Sequence, residues 1–319
     1  MYPPPRADRS TVTRAPIASR GVRIALAMCL LATLFNSLTT GENAGPTYHA
    51  TASEVRLNFF ATDETGRIIS KLTPQDFAVV DEGTVIRDFR SFLPSNQSNV
   101  NVVMLVDCSE SVLHAIGKEM SGLRDLISRT HWTDGDEVSI LSFHNADLAV
   151  VCRSCLAQPT ESLLPQLHPS GATPLYDALV STADWLGNNR QPHLSPVLIL
   201  LSDGKDTVSR NSFVDATQAV VNSDARIYSL DLNGRGSPFL DSAPLRNLAE
   251  ATGGRYFHLS DGAVRIVSGV IDDQRASYTV TYALQSRKLG LHSVGIFPTR
   301  NLHLQFHSRR FYYYGNSQP

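Results

Sequence analysis

The chain changes its hydrophobic period twice. Glu54-Val-Arg-Leu-Asn-Phe59 alternates polar and apolar residues, the signature of a half-buried strand. Asp63-Glu-Thr-Gly66 reads as a turn, and Leu72-Thr-Pro-Gln-Asp76 opens with a Ser/Thr or Asx cap or turn. Asp81-Glu-Gly83 lies between strand-like residues 76–80 and 84–89, which predicts a hairpin. From Asn99 to about Asp273 strands and helices alternate instead. Strands are predicted at 100–106, 137–143, 148–151, 196–201, 225–230 and 255–258, and helices at 112–130, 174–186, 211–222, 243–251 and 262–274. Val197-Leu-Ile-Leu-Leu201 is apolar throughout, which suits the interior of a parallel sheet covered on both faces. Residues 148–151 follow the preceding strand too closely for a crossover, so they should form an antiparallel edge. The tail returns to alternation at 277–284, followed by strand-like 290–297, 302–306 and 311–314.

These periods predict an α/β protein: a doubly wound, mostly parallel six-stranded sheet, with 100–106 and 197–201 as neighbouring central strands. Four segments follow: 1–40, a β-rich 46–98, the α/β block 99–274, and a β-rich 275–319. The two β-rich segments each have too few strands to bury a core, so they should pair into one smaller β-sandwich-like domain.

Composition changes this picture little. The chain has 319 residues, 42% apolar and 18% charged, which excludes disorder and multiple membrane spans. Its formal charge of −2 hides an asymmetry. Residues 1–40 carry Arg6, Arg9, Arg14, Arg20 and Arg23 against Asp8, leaving the remainder near −6. An acidic body supplies no electrostatic ground for nucleic-acid binding. The basic start leads into uncharged residues 24–35, a run that reads as a secretory signal peptide or, alternatively, an uncleaved N-terminal anchor. Any membrane contact would come through this segment. Cys29 lies inside the run, not after it, which argues against a lipoprotein cysteine. Cys108, Cys152 and Cys155 remain. Cys152-Arg-Ser-Cys155 can close a small disulfide in an oxidising compartment, whereas its place after a strand and before a loop argues against redox catalysis. Cys108 reads as a packed small residue.

The chemistry concentrates at strand ends. Asp107-Cys-Ser-Glu-Ser111 closes the strand at 100–106, offering a carboxylate and two hydroxyls from one turn. Gly171-Ala-Thr173 places a hydroxyl just before a helix, and Asp203-Gly204 ends another buried strand. Carboxyl ends of strands in an open parallel sheet converge on one crevice. Hard oxygen donors of this kind suit Mg²⁺.

This combination resembles the von Willebrand factor type A domain and its metal-ion-dependent adhesion site. The resemblance implies a site built from Asp107, Ser109, Ser111, Thr173 and Asp203. It implies that Ser109, Ser111 and Thr173 bind the metal directly, that Asp107 and Asp203 act mainly through water, and that a partner's carboxylate takes the sixth position. The cation expected is Mg²⁺, with Mn²⁺ or Ca²⁺ as alternatives. Glu110 departs from the glycine common in the family, an extra carboxylate that would raise cation affinity or compete with an acidic ligand. Residues 227–232 and 245–257 resemble the last third of the same domain. The order of β-rich front, A domain and aromatic tail looks like a group of exported bacterial proteins frequent in acidobacteria. Asp63-Glu-Thr-Gly-Arg67, Leu72-Thr-Pro-Gln-Asp-Phe77, Asp81-Glu-Gly83 and Arg309-Arg-Phe-Tyr-Tyr313 carry that likeness.

Enzymatic readings find less support. Ser109 is not in a nucleophile elbow, and His144 reads as part of a surface turn. Where an aspartyl phosphotransferase would want a second Asp, Ser109 stands. His303 and His307 read as a solvated strand face. Asp206 and Thr207 read as caps of the segment after them. The expectation is an exported, non-enzymatic adhesion module of the periplasm, envelope or extracellular space. It would use Mg²⁺ to bind an Asp or Glu carboxylate of a protein partner. The alternatives are an envelope component whose metal only stabilises the fold, or a metal-dependent hydrolase.

Overall fold

The computed structural model describes residues 54–95, 99–113, 121–122, 124–125, 127–128, 130–157, 167–191, 193–233 and 242–315. The basic, apolar leader and the linker after it lie outside the described residues, as does much of the helix predicted at 112–130. The described residues between 121 and 128 are helical. The front supplies β1 (Glu54–Thr62), β2 (Phe77–Asp81), β3 (Thr84–Ile86) and β4 (Ser91–Pro94). The middle supplies β5 (Val100–Asp107), β6 (Glu137–His144), β7 (Asp147–Cys152), α1 (Leu175–Asn188), β8 (Ser195–Ser202), α2 (Phe213–Asn222), β9 (Arg226–Asp231), α3 (Ala243–Thr252), β10 (Tyr256–His258) and α4 (Ala263–Arg275). The tail adds β11 (Tyr278–Ala283), β12 (Gly290–Pro298), β13 (Gln305–Ser308) and β14 (Phe311–Tyr314).

The central sheet has six strands in the order β10-β9-β8-β5-β6-β7. All neighbours run parallel except β7, which pairs antiparallel with β6 as the short connection requires. Every residue of β5 is buried, and its side chains alternate between two cores. Val102, Met104 and Val106 face one side with α4, while Val103 and Leu105 face the other with α1, α2 and α3. That double burial is why β5 and β8 are apolar at both parities. A disulfide joins Cys152 to Cys155 just past β7, and Cys108, outside that disulfide, is buried.

The flanking segments interleave. β1 sits between β11 and β13, and β12 between β2 and β14, giving two four-stranded sheets each drawn from both ends of the chain. Phe59, Phe77, Phe92, Tyr278 and Phe306 pack ring against ring between them. The fold class expected from the periods is the one observed.

Local details differ. The strand predicted at 84–89 stops at Ile86, and β4, unforeseen, pairs with β11. The strand predicted at 302–306 lies at Gln305–Ser308. The His303/His307 pair is not one solvated face. His303 is exposed, but His307 stacks on Phe60 at 4.5 Å and its Nε2 lies 3.0 Å from Thr62 Oγ1. The pairing of β13 with β1 swings His307 inward, which local alternation could not show.

Candidate functional site

β5 ends on Asp107, whose side chain is fully buried. The pairing of Val106 with Leu201 brings Ser202 and Asp203 alongside. Ser202 Oγ donates to Asp107 Oδ2 at 2.7 Å and accepts the Gly204 N–H at 3.1 Å. The Ser109 N–H donates to Asp107 Oδ1 at 2.9 Å. A 3-10 turn at Glu110–Val112 comes next, and the Ser109 and Ser111 hydroxyl oxygens lie 3.0 Å apart.

The loop at 170–173 is tied to this turn through the backbone. Ser170 N–H donates to Cys108 O at 2.8 Å, and Glu110 N–H donates to Gly171 O at 2.9 Å. Asn145, just beyond β6, donates its N–H to Ala172 O at 2.8 Å and accepts the Ala172 N–H on Oδ1 at 3.0 Å. Gly171 has φ of 71°, and a Cβ there would stand 2.0 Å from Asn145 Oδ1, so the loop needs glycine. Thr173 is buried, its N–H donating to Thr207 Oγ1 at 2.9 Å while its carbonyl accepts the Thr207 N–H at 2.9 Å. The loop after β8 is thereby sewn to the second loop as the second is to the first. The five residues expected at the site stand on three loops tied together at the carboxyl edge of one sheet.

Asp203 is nearly enclosed. Its Oδ1 accepts the Lys205 N–H at 3.1 Å. Its Oδ2 is buried and makes no hydrogen bond; Lys205 Nζ approaches to 3.3 Å as an ion pair without hydrogen-bond geometry. Burial pushes the Asp107 carboxyl above the usual carboxylate range, and the Asp203 charge adds a smaller upward push against the hydrogen bonds from Ser109 and Ser202. Such a place favours a cation. Among the described residues no cluster of three or more His, Cys, Asp or Glu side chains is arranged for a metal. The donor set here is two carboxylates and three hydroxyls, hard oxygens of the kind Mg²⁺ takes, and the unsatisfied Asp203 oxygen is the point at which the residues present fit that ion. Glu110 is exposed beside the turn.

Asp206 and Thr207 do not cap the segment after them. Asp206 Oδ1 accepts the Tyr176 N–H at 3.3 Å, and Ser209 Oγ accepts the N–H groups of Tyr176 and Asp177 at 3.0 and 3.1 Å. They satisfy the first turn of α1, whose own N-cap, Pro174, has no side-chain acceptor to offer. The next helix, α2, is capped instead by its own reciprocal Ser212–Asp215 box. Ser202, Asn145 and Asn233 escaped the sequence reading. Asn233 Nδ2 donates to Asp203 O at 2.9 Å. Only Ser202 carried a local signal, its place beside Asp203 at a strand end.

A mostly parallel sheet with one antiparallel edge, crossed by helices and carrying this loop set, defines a von Willebrand factor type A domain. The family model of that description matches residues 100–257, so the chain carries a von Willebrand A domain there, with β-rich segments on both sides. Among solved structures it is similar to conserved hypothetical protein BatB from Bacteroides thetaiotaomicron, with 16% identity and a TM-score of 0.44 over 55% of this chain and 98% of that one. An aerotolerance-related membrane protein from Bacteroides fragilis matches with 16% identity and a TM-score of 0.43, again over 55% and 98%. Proximal thread matrix protein 1 from the mussel byssus matches with 14% identity and a TM-score of 0.45, over 56% and 48%. No curated protein sequence matches the chain.

Proposed function

We propose that this protein is an exported, non-enzymatic binding module that captures a protein partner through a divalent cation, Mg²⁺ for preference. Asp107, Ser109, Ser111, Thr173 and Asp203 would hold the ion, and the ion would supply an electrophilic position for an Asp or Glu carboxylate of the partner. The observation that carries this reading is the buried Asp203 Oδ2 without a hydrogen bond, at a loop junction where another buried carboxylate is held by Ser109 and Ser202. A buried anionic oxygen without donors is costly, and a cation removes that cost. Export rests on the basic, apolar leader. Among the described residues no helix is long and apolar enough to cross a membrane. The motifs at 63–67, 72–77, 81–83 and 309–313 support kinship with exported bacterial proteins of the acidobacterial type.

A second reading has one contact in its favour. The Lys205 ammonium at 3.3 Å from Asp203 supplies a positive charge of its own, which suits an envelope component whose site serves stability alone. Capture from envelope extract, in Mg²⁺ and in chelator, separates the two. Under the binding reading Mg²⁺ is needed for capture, Asp107→Ala abolishes Mg²⁺ binding by calorimetry, and Thr173→Ala weakens capture far more than it lowers thermal stability. Capture indifferent to chelator, or undiminished in Thr173→Ala, would leave the structural reading standing.

A further inference from the structure

At the opposite edge of the central sheet, where β8 and β9 begin, a cavity of about 70 Å³ lies against the flanking β-sheets. Its wall carries Arg190, Arg226 and Arg309 against one carboxylate, Asp224, with Thr252 and Ser277 adding hydroxyls. Asp224 is held by Arg309 and stands 3.6 Å from Arg190. Arg226 is the exception. It is 6% exposed, gives one N–H to Ser277 Oγ at 3.1 Å and lies over the Phe60 ring at 5.0 Å. It also meets the Tyr228 hydroxyl and feels the charges of Asp224 and Asp273 at longer range. Among the described residues it has no carboxylate within ion-pair distance. The nearby Asp273 is taken by a two-pronged bond from Arg255. Buried guanidinium groups in folded proteins are paired, so a surplus of this kind calls for an anion.

We propose that this cavity is an oxyanion site that takes free inorganic phosphate or sulfate. A tetrahedral oxyanion meets the planar forks of several guanidinium groups at once, which a single carboxylate does not. The volume exceeds the space one water needs and suits an ion of that size. Arg190, whose side chain is 40% exposed, marks the mouth. Half-buried His307, kept neutral first by burial and then by Arg255 and Arg226, lies in the same positive field. The site joins β9 of the A domain to Arg309 of the tail, so the anion would brace one against the other. It is independent of the cation reading and lies at the other end of the sheet.

The test is thermal unfolding and calorimetry of the full chain in chelator, with phosphate, with sulfate, and with chloride at matched ionic strength. Chelator keeps the cation site out of the measurement. Phosphate and sulfate should raise the midpoint above the chloride control, as a ligand of the native state must. Arg190→Gln, at the exposed mouth, and Arg226→Met, which replaces the buried charge by an apolar chain, should each weaken phosphate about ten- to hundredfold. Should phosphate act no more strongly than chloride on the wild type, or equally on wild type and Arg190→Gln, the cavity is not an oxyanion site. The arginines then serve only to join the two parts of the chain.

Discussion

Ser202→Ala tests the geometry at the cation site most directly, because the Ser202 hydroxyl touches both the acid and the loop. Its oxygen is fully buried, donates to Asp107 Oδ2 at 2.7 Å and accepts the Gly204 N–H at 3.1 Å. Alanine removes both bonds and leaves no donor on Oδ2. A hydrogen bond to a charged group contributes about 1.5–3 kcal/mol and a neutral one about 1 kcal/mol, so the loss in chelator should be roughly 2–4 kcal/mol. For a unit of this size that corresponds to about 5–12 °C in Tm. Asp107 is enclosed, so no solvent screening reduces the figure. Asp107→Asn supplies the control. An amide can keep the Ser109 N–H on its oxygen, yet it no longer presents a charge to Ser202. In that background Ser202→Ala should cost only about 1 kcal/mol, leaving a coupling of about 1–3 kcal/mol in the double-mutant cycle. Urea denaturation in chelator measures all four proteins. A single-mutant cost below about 0.5 kcal/mol, or a cycle without coupling, would show that Ser202 does not hold the Asp107 carboxylate, and the proposed site geometry would fall.

Three further outcomes concern the A domain and its seam with the flanking sheets. Gly253 has φ of 78° and its Cβ would meet Ser308 C at 2.6 Å, backbone that cannot swing aside, so Gly253→Ala should cost about 2–4 kcal/mol in urea denaturation. Gly269→Ala, inside α4 with Arg255 Nη2 at 3.5 Å, should instead stabilise by about 0.5–1 kcal/mol. Burial, with Arg255 and Arg226 behind it, pushes His307 down to about 4 from 6.5. The neutral ring is the native form. Its contribution is full above pH 6.5 and is lost as pH falls through about 4. Discounted for partial exposure, the loss should be about 1–2 kcal/mol, read as a pH-dependent difference in urea midpoint between wild type and His307→Leu.

Periodicity alone determined the central sheet. Strands apolar at both parities must be buried on both faces, and the close spacing after His144 left β7 no choice but to turn back. The same periodicity placed Asp107 and Asp203 at one edge, since carboxyl ends of parallel strands share a side, whereas Thr173, which follows the antiparallel β7, is brought there by its backbone ties to the neighbouring loops. The flanking segments had to meet because neither could bury a core alone. Partner choice across the fold was not legible in this way. Ser202 is 95 residues from Asp107, and its place beside Asp203 at a strand end does not tell which carboxylate it will meet. Asp206 reads as a cap of the segment after it, yet it serves Tyr176, 30 residues earlier, because Pro174 leaves the first turn of α1 without a side-chain acceptor. His307 alternates like a surface residue until β13 settles against β1. Nothing along the chain joins Arg226 to Arg309, which meet only because the fold brings both to the wall of one cavity beside Asp224. Local chemistry is written in spacing along the chain, whereas a buried hydrogen-bonding or charged group takes its partner from whichever segment the packing brings within about 3 or 4 Å.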